Sequence, residues 1–72
     1  MPKLYSSHHI IHVLESHGFT FVSQRGSHTK YRKIEESIVT RTVVIPSPRK
    51  EIPIGTFRSI VRQAGLSPED FL

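Results

Sequence analysis

Apolar side chains recur along the chain in two rhythms. Near the N-terminus Ile10, Ile11 and Leu14 fall at helical spacing with Val13 on the flank, and Gly18 follows as a residue suited to the left-handed turn that ends helices. Ser6 and Ser7 precede this run, and a serine hydroxyl there can accept from an amide that the first turn leaves unpaired. A first helix is predicted over about residues 7 to 17. From residue 19 the rhythm changes. In FTFVSQ, residues 19–24, Phe19 and Phe21 alternate with shorter side chains. Arg25-Gly26 reads as a turn, because Gly26 takes positive φ cheaply, and SHTKYRKI, residues 27–34, as the returning strand. Glu35, Glu36 and Ser37 make a polar turn before IVTRTVVI, residues 38–45, whose β-branched composition marks a third strand. Pro46 and Pro48 stop that strand, and PSPRKEIP forms a loop with a basic centre at Arg49 and Lys50. Phe57, Ile60, Val61 and Ala64 then return to the helical period over about residues 54 to 64, with Arg58 and Arg62 together on another face and Gly65 closing the helix. Ser67, Pro68 and the acids after them predict a last short turn.

The order is helix, three strands, helix. Two amphipathic helices on one face of a three-stranded antiparallel meander make a two-layer α+β sandwich of α-β-β-β-α order. No repeat or linker interrupts the 72 residues, so a single domain over residues 1–72 is expected. A chain this short buries only about 60% of its unfolded surface, so its core must be compact. Phe19, Phe21 and Phe57 read as core, and so does Tyr31, which alternates away from His28.

The chain has no cysteine, which removes disulfides and thiolate metal sites and fits a reducing cytoplasm. No apolar run approaches the roughly 20 residues that cross a bilayer, and MPKLYSSHHIIHV lacks the features of a signal peptide. A cytoplasmic protein with no membrane partner is expected. Ten Lys and Arg against six Asp and Glu give a net charge of +4, with five histidines in reserve. That field suits phosphate, and an acidic protein would feel it equally.

Three segments carry a resemblance. They are HGFTFVSQRGSHTKYR at residues 17–32, VVIPSPRKEIPIGTFRSIVRQAGLS at residues 43–67, and the terminal PEDFL. Gly26-Ser27-His28 alone would read first as a turn-adjacent histidine satisfied by a backbone carbonyl. Together with Gly-Thr-Phe-Arg-Ser-Ile and Gln-Ala-Gly-Leu-Ser it resembles the HicA toxin family, also called YcfA-like, over nearly the whole chain. The resemblance implies a fold like that of double-stranded-RNA-binding domains. It also implies cleavage of messenger RNA, silencing by a HicB-type antitoxin, and His28 as the active histidine. One position departs from the family: where members often carry a further histidine after the proline closing the third strand, this chain has Ser47.

The chemistry agrees with that role. RNA cleavage needs a base for the ribose 2′-hydroxyl and an acid for the departing 5′-oxygen, and histidine, with an ordinary pKa near 6.5, serves either. Lys30 and Arg32 lie two and four residues beyond His28, on its face of a strand, where they can hold phosphodiester oxygens. Gly26 lets backbone approach a phosphate, and Ser27 offers a hydroxyl and an amide. Arg49 and Lys50, with Arg58 and Arg62, are assigned to RNA or antitoxin contact, with a solvated surface as the plainer reading. No second acid-base group is identified.

The scheme needs no metal or other cofactor, and Glu15, Glu35, Glu36, Glu51, Glu69 and Asp70 form no evident hard-cation cluster. His8 and His12 have a zinc-helix spacing but no third ligand in register, so an exposed polar face accounts for them and for His9 and His17. The expected function is therefore a metal-independent endoribonuclease toxin of a type II toxin–antitoxin system. A non-catalytic RNA-binding module of the same fold is the rival, and a protein-binding adaptor the third reading.

Overall fold

In the computed structural model, residues 3–35 and 40–72 are described. Helix α1 spans Ser7–Ser16, strands β1, β2 and β3 span Thr20–Arg25, His28–Ile34 and Thr40–Pro46, and helix α2 spans Ile54–Ala64 before a 3₁₀ turn at Pro68–Phe71. The α-β-β-β-α order is the one expected. Glu36 and Ser37 of the expected polar turn, with Ile38 and Val39 of the expected third strand, lie outside the described residues.

The two serines ahead of α1 divide the work. Ser6 is the cap, its Oγ accepting the His9 amide at 3.0 Å. Ser7 is buried, accepts the Arg49 amide at 2.9 Å and donates to the Arg49 carbonyl at 3.2 Å, fastening the loop after β3 to the start of α1. Arg62 lies in the last turn of α2, and Gly65 ends the helix at φ +69. In the final turn the Asp70 carboxylate accepts the Ser67 amide at 2.8 Å.

The sheet runs β1-β2-β3, antiparallel throughout. Val43 and Ile45 of β3 stand opposite Tyr31 and Thr29 of β2, and all four are buried. Ile10 and Leu14 of α1 join Phe57, Ile60, Val61 and Ala64 of α2 over this face, with Phe19, Ile52 and Phe71 sealing its margins. Both helices thus cover one face of the sheet, and their packing falls mainly on β3. Among the described residues no helix is long and apolar enough to cross a membrane.

Two expectations need correction. Phe21 is not core: it is 57% exposed, because β1 is the edge strand that the helices leave uncovered, and Phe21 packs edge-on to Tyr31 with ring centroids 5.9 Å apart. Nor does His9 belong to an exposed polar face. It is half-buried, stacks on Tyr5 at 4.7 Å and donates from Nε2 to the Phe71 carbonyl at 2.6 Å, tying the C-terminus to α1.

Candidate functional site

The face of the sheet turned away from the helices begins at a two-residue hairpin. Arg25 and His28 are the closing pair of β1 and β2, with Gly26 and Ser27 between them. Gly26 sits at φ +55 with nothing within 4 Å of where a Cβ would stand, so a bound strand can meet bare backbone there. Ser27 is exposed, and its carbonyl accepts the Ser47 amide at 2.6 Å. That bond sets the loop after β3 beside the hairpin, with Ser47 at the position where a further histidine is expected from the resemblance.

His28 opens β2 and is exposed. Ser27 Oγ lies 3.5 Å from its Nδ1, too long to fix the ring. Across the strands His28 faces Arg25 on one side and Pro46 on the other. Lys30 faces Ser23 and Val44, and Arg32 faces Thr20 and Thr42. The sequence-predicted residues His28, Lys30 and Arg32 therefore share one face. Ser23, Arg25, His28, Lys30 and Val44 line a depression of about 550 Å³ on it, while Arg32 stands one pair farther along.

Arg25 is the site residue that pattern reading missed, and a bulge explains why. Phe21 pairs with Tyr31 on the core face, so regular alternation would send Ser23 and Arg25 to that face as well. The register slips between Phe21 and Ser23, leaving Val22 as an extra residue. A one-residue slip exchanges faces for everything after it. Ser23 and Arg25 thereby turn outward beside Lys30 and His28. Neither strand composition nor turn chemistry announces such a slip.

Arg49 and Lys50 lie elsewhere. They border a separate shallow depression with Ser6, Ser7, His8 and Pro48, on the loop that Ser7 fastens. Arg49 is two residues past Ser47, so the chain between them reaches at most about 7 Å. The basic loop is a neighbour of the hairpin rather than a wall of its depression.

Charge is distributed unevenly along β2. Its first residue, His28, has the cations of Arg25 and Lys30 around it and no carboxylate in the lining of the depression. Glu35 follows the other end of the strand, where it pairs with Arg41 at 2.9 Å. The depression at the hairpin end is thus lined by cations with no carboxylate among them. Among the described residues no three His, Cys, Asp or Glu side chains gather into a group that could hold a metal ion.

Compared with known protein families, residues 7–66 match the one described as "HicA toxin of bacterial toxin-antitoxin". No curated protein matches the chain.

Proposed function

The chain belongs to the HicA toxin family, and on that premise we propose that it is an endoribonuclease that cleaves messenger RNA by metal-independent acid-base chemistry at His28 and is neutralised by a HicB-type antitoxin. The observation that carries this reading is an exposed histidine at a bare glycine hairpin, set among cations on a sheet face that no helix covers.

An imidazole nitrogen of His28 takes the proton from a ribose 2′-hydroxyl. The 2′-oxygen then bonds to the adjacent phosphorus as the bond from phosphorus to the 5′-oxygen breaks. The products are a 2′,3′-cyclic phosphate and a 5′-hydroxyl, and the proton that His28 gained is the one the departing oxygen requires, delivered by the ring or through water. Arg25 and Lys30 hold the non-bridging oxygens, where negative charge builds as phosphorus becomes five-coordinate. Gly26 and Ser27 receive the backbone at the turn, Arg32 extends the phosphate track along β2, and Arg49 and Lys50 extend it past Ser47. An antitoxin that covers the hairpin excludes RNA by volume and by charge.

Purified protein, wild type against His28→Ala, is incubated with messenger RNA in the presence of EDTA, and the new 5′ ends are mapped. Cleavage by the wild type alone, leaving 5′-hydroxyl ends, supports the reading. Equal cleavage by both proteins removes His28 from the chemistry. RNA binding without turnover by either assigns the chain to the non-catalytic RNA-binding module.

A further inference from the structure

His28 and Val44 border a second depression, on the side of His28 away from Arg25 and Lys30. It occupies about 290 Å³ where α2 lies against β3, and its other walls are Pro46, Thr56, Ser59, Ile60 and Gln63. We infer that this depression is a base-recognition subsite, which receives the nucleobase adjoining the phosphate at His28 and reads its edge with Gln63, Ser59 and Thr56. The inference rests on the RNA-cleaving role proposed for His28.

The chemistry of the lining changes abruptly at His28. On one side stand Arg25 and Lys30, suited to phosphate. On the other, no lining residue except His28 can carry a charge. Two hydroxyls and a carboxamide stand among the apolar surfaces of Val44, Pro46 and Ile60, a set that matches a neutral heterocycle with a polar rim. Single-stranded RNA is read in this way, with a splayed base lying on apolar or aromatic side chains and hydrogen-bonded along its edge. The volume is at the small end of ligand pockets, which run from roughly 300 Å³ upward, and so suits one nucleotide rather than several.

The three polar residues form a deliberate row. Thr56, Ser59 and Gln63 are spaced three and four apart, so they share one face of α2, beside the buried stripe of Phe57, Ile60 and Ala64. Threonine and serine are poorer helix formers than alanine, so propensity does not account for them there. Gln63 is exposed, and one long hydrogen bond biases its carboxamide. Its Oε1 accepts the amide of Val44 at 3.4 Å, on the outer edge of β3, which leaves the NH₂ group as the part of the side chain that can donate to a ligand. A donor presented beside His28 discriminates among bases because each base edge presents its own order of donors and acceptors, and a mismatched polar group is left unpaired.

Two measurements test this. In the first, wild type, Ser59→Ala, Gln63→Ala and Arg25→Ala cleave a pool of randomised single-stranded RNA, and the bases flanking each cut are sequenced. The wild type should favour particular bases at one flanking position by on the order of tenfold. Ser59→Ala and Gln63→Ala should flatten that preference while still cleaving, and Arg25→Ala should cut less with its preference intact. Unchanged preference in both α2 variants overturns the subsite. Ser59→Ala exchanges serine for a better helix former, so it also answers for any loss of folding in Gln63→Ala.

The second measurement does not depend on turnover. The Gln63 side-chain amide, identified by its absence from Gln63→Ala, is followed by NMR as each of four uncleavable 2′-O-methyl homopolymers is added to the wild type. Shifts that differ among the bases support the subsite even if no RNA is cleaved, in which case the nuclease reading alone fails. Equal shifts with all four, or none at Gln63 while Arg25 and Lys30 respond, overturn it.

Discussion

His28 is exposed at a hairpin, and among the described residues its ring has no hydrogen bond shorter than 3.5 Å, so it adds little to packing. His28→Ala should therefore change stability by no more than about 0.5 kcal/mol, within the range of surface substitutions. Cleavage should fall by about 10²-fold or more, the usual value of a proton-transfer group. Melting and initial-rate measurements on one preparation check both; a large loss of melting temperature would mean that the histidine is structural. Tyr31 is the opposite kind of residue. Burial, and secondarily the carboxylate of Glu15, raises its phenol above the ordinary value near 10. The unfolded chain then gives up this proton at a pH where the native protein still holds it. Stability from this source is complete below about pH 10 and is lost as pH rises through the raised native value. Thermal melts from about pH 9 to about pH 11 should show the wild type falling more steeply than Tyr31→Phe. Parallel curves would show that the Tyr31 phenol ionises alike in both states.

At the scale of elements, α2 ends where Gly65 takes φ +69, and a Cβ added there would stand 2.5 Å from Arg41 Cζ. Gly65→Ala should cost about 1–2 kcal/mol of left-handed strain. It should also push Arg41 off Glu35, a pair about one-third exposed whose loss adds less than about 1 kcal/mol. In a chain of this size the melting temperature should drop by roughly 5–20 °C. The same substitution made in an Arg41→Ala background should cost somewhat less, the remainder being backbone strain. Periodicity found α2 at Ile54–Ala64 and α1 within a residue, because each helix buries a stripe against β3 and carries its own stop signal. The hairpin was legible for a similar reason, since Gly26 is the one residue there for which positive φ is cheap. What pattern could not reveal depends on partners distant in the chain. The slip at Val22 concerns two strands at once, and it decides that Arg25 lines the depression at His28. Phe21 looked apolar enough for the core, but its exposure follows from which strand the helices leave uncovered. The row of Thr56, Ser59 and Gln63 gains meaning only when α2 lies along the edge of β3 beside His28.

For the molecule as a whole, a net charge of +4 says less than where the cations stand. Arg25, Lys30 and Arg32 form a track on the open sheet face, and Arg49 and Lys50 stand on the fastened loop beyond Ser47. A single strand of RNA that crosses the hairpin can touch the first group alone or run on to the second, and salt distinguishes the two paths. Each phosphate neutralised by a cation releases counterion, so log affinity falls against log salt concentration with a slope near −0.7 per contact for single strands. Arg25→Ala should make that slope shallower by about 0.7 whichever path is taken. Arg49→Ala with Lys50→Ala should remove about another 1.4 if the strand continues over the loop. Fluorescence titration of one uncleavable oligonucleotide at several salt concentrations reads both values. An unchanged slope in the loop double variant would confine RNA to the sheet face and leave Arg49 and Lys50 to the antitoxin. The distinction bears on neutralisation, because an acidic partner that covers only the loop could share the toxin with RNA, whereas one that covers the hairpin must displace it.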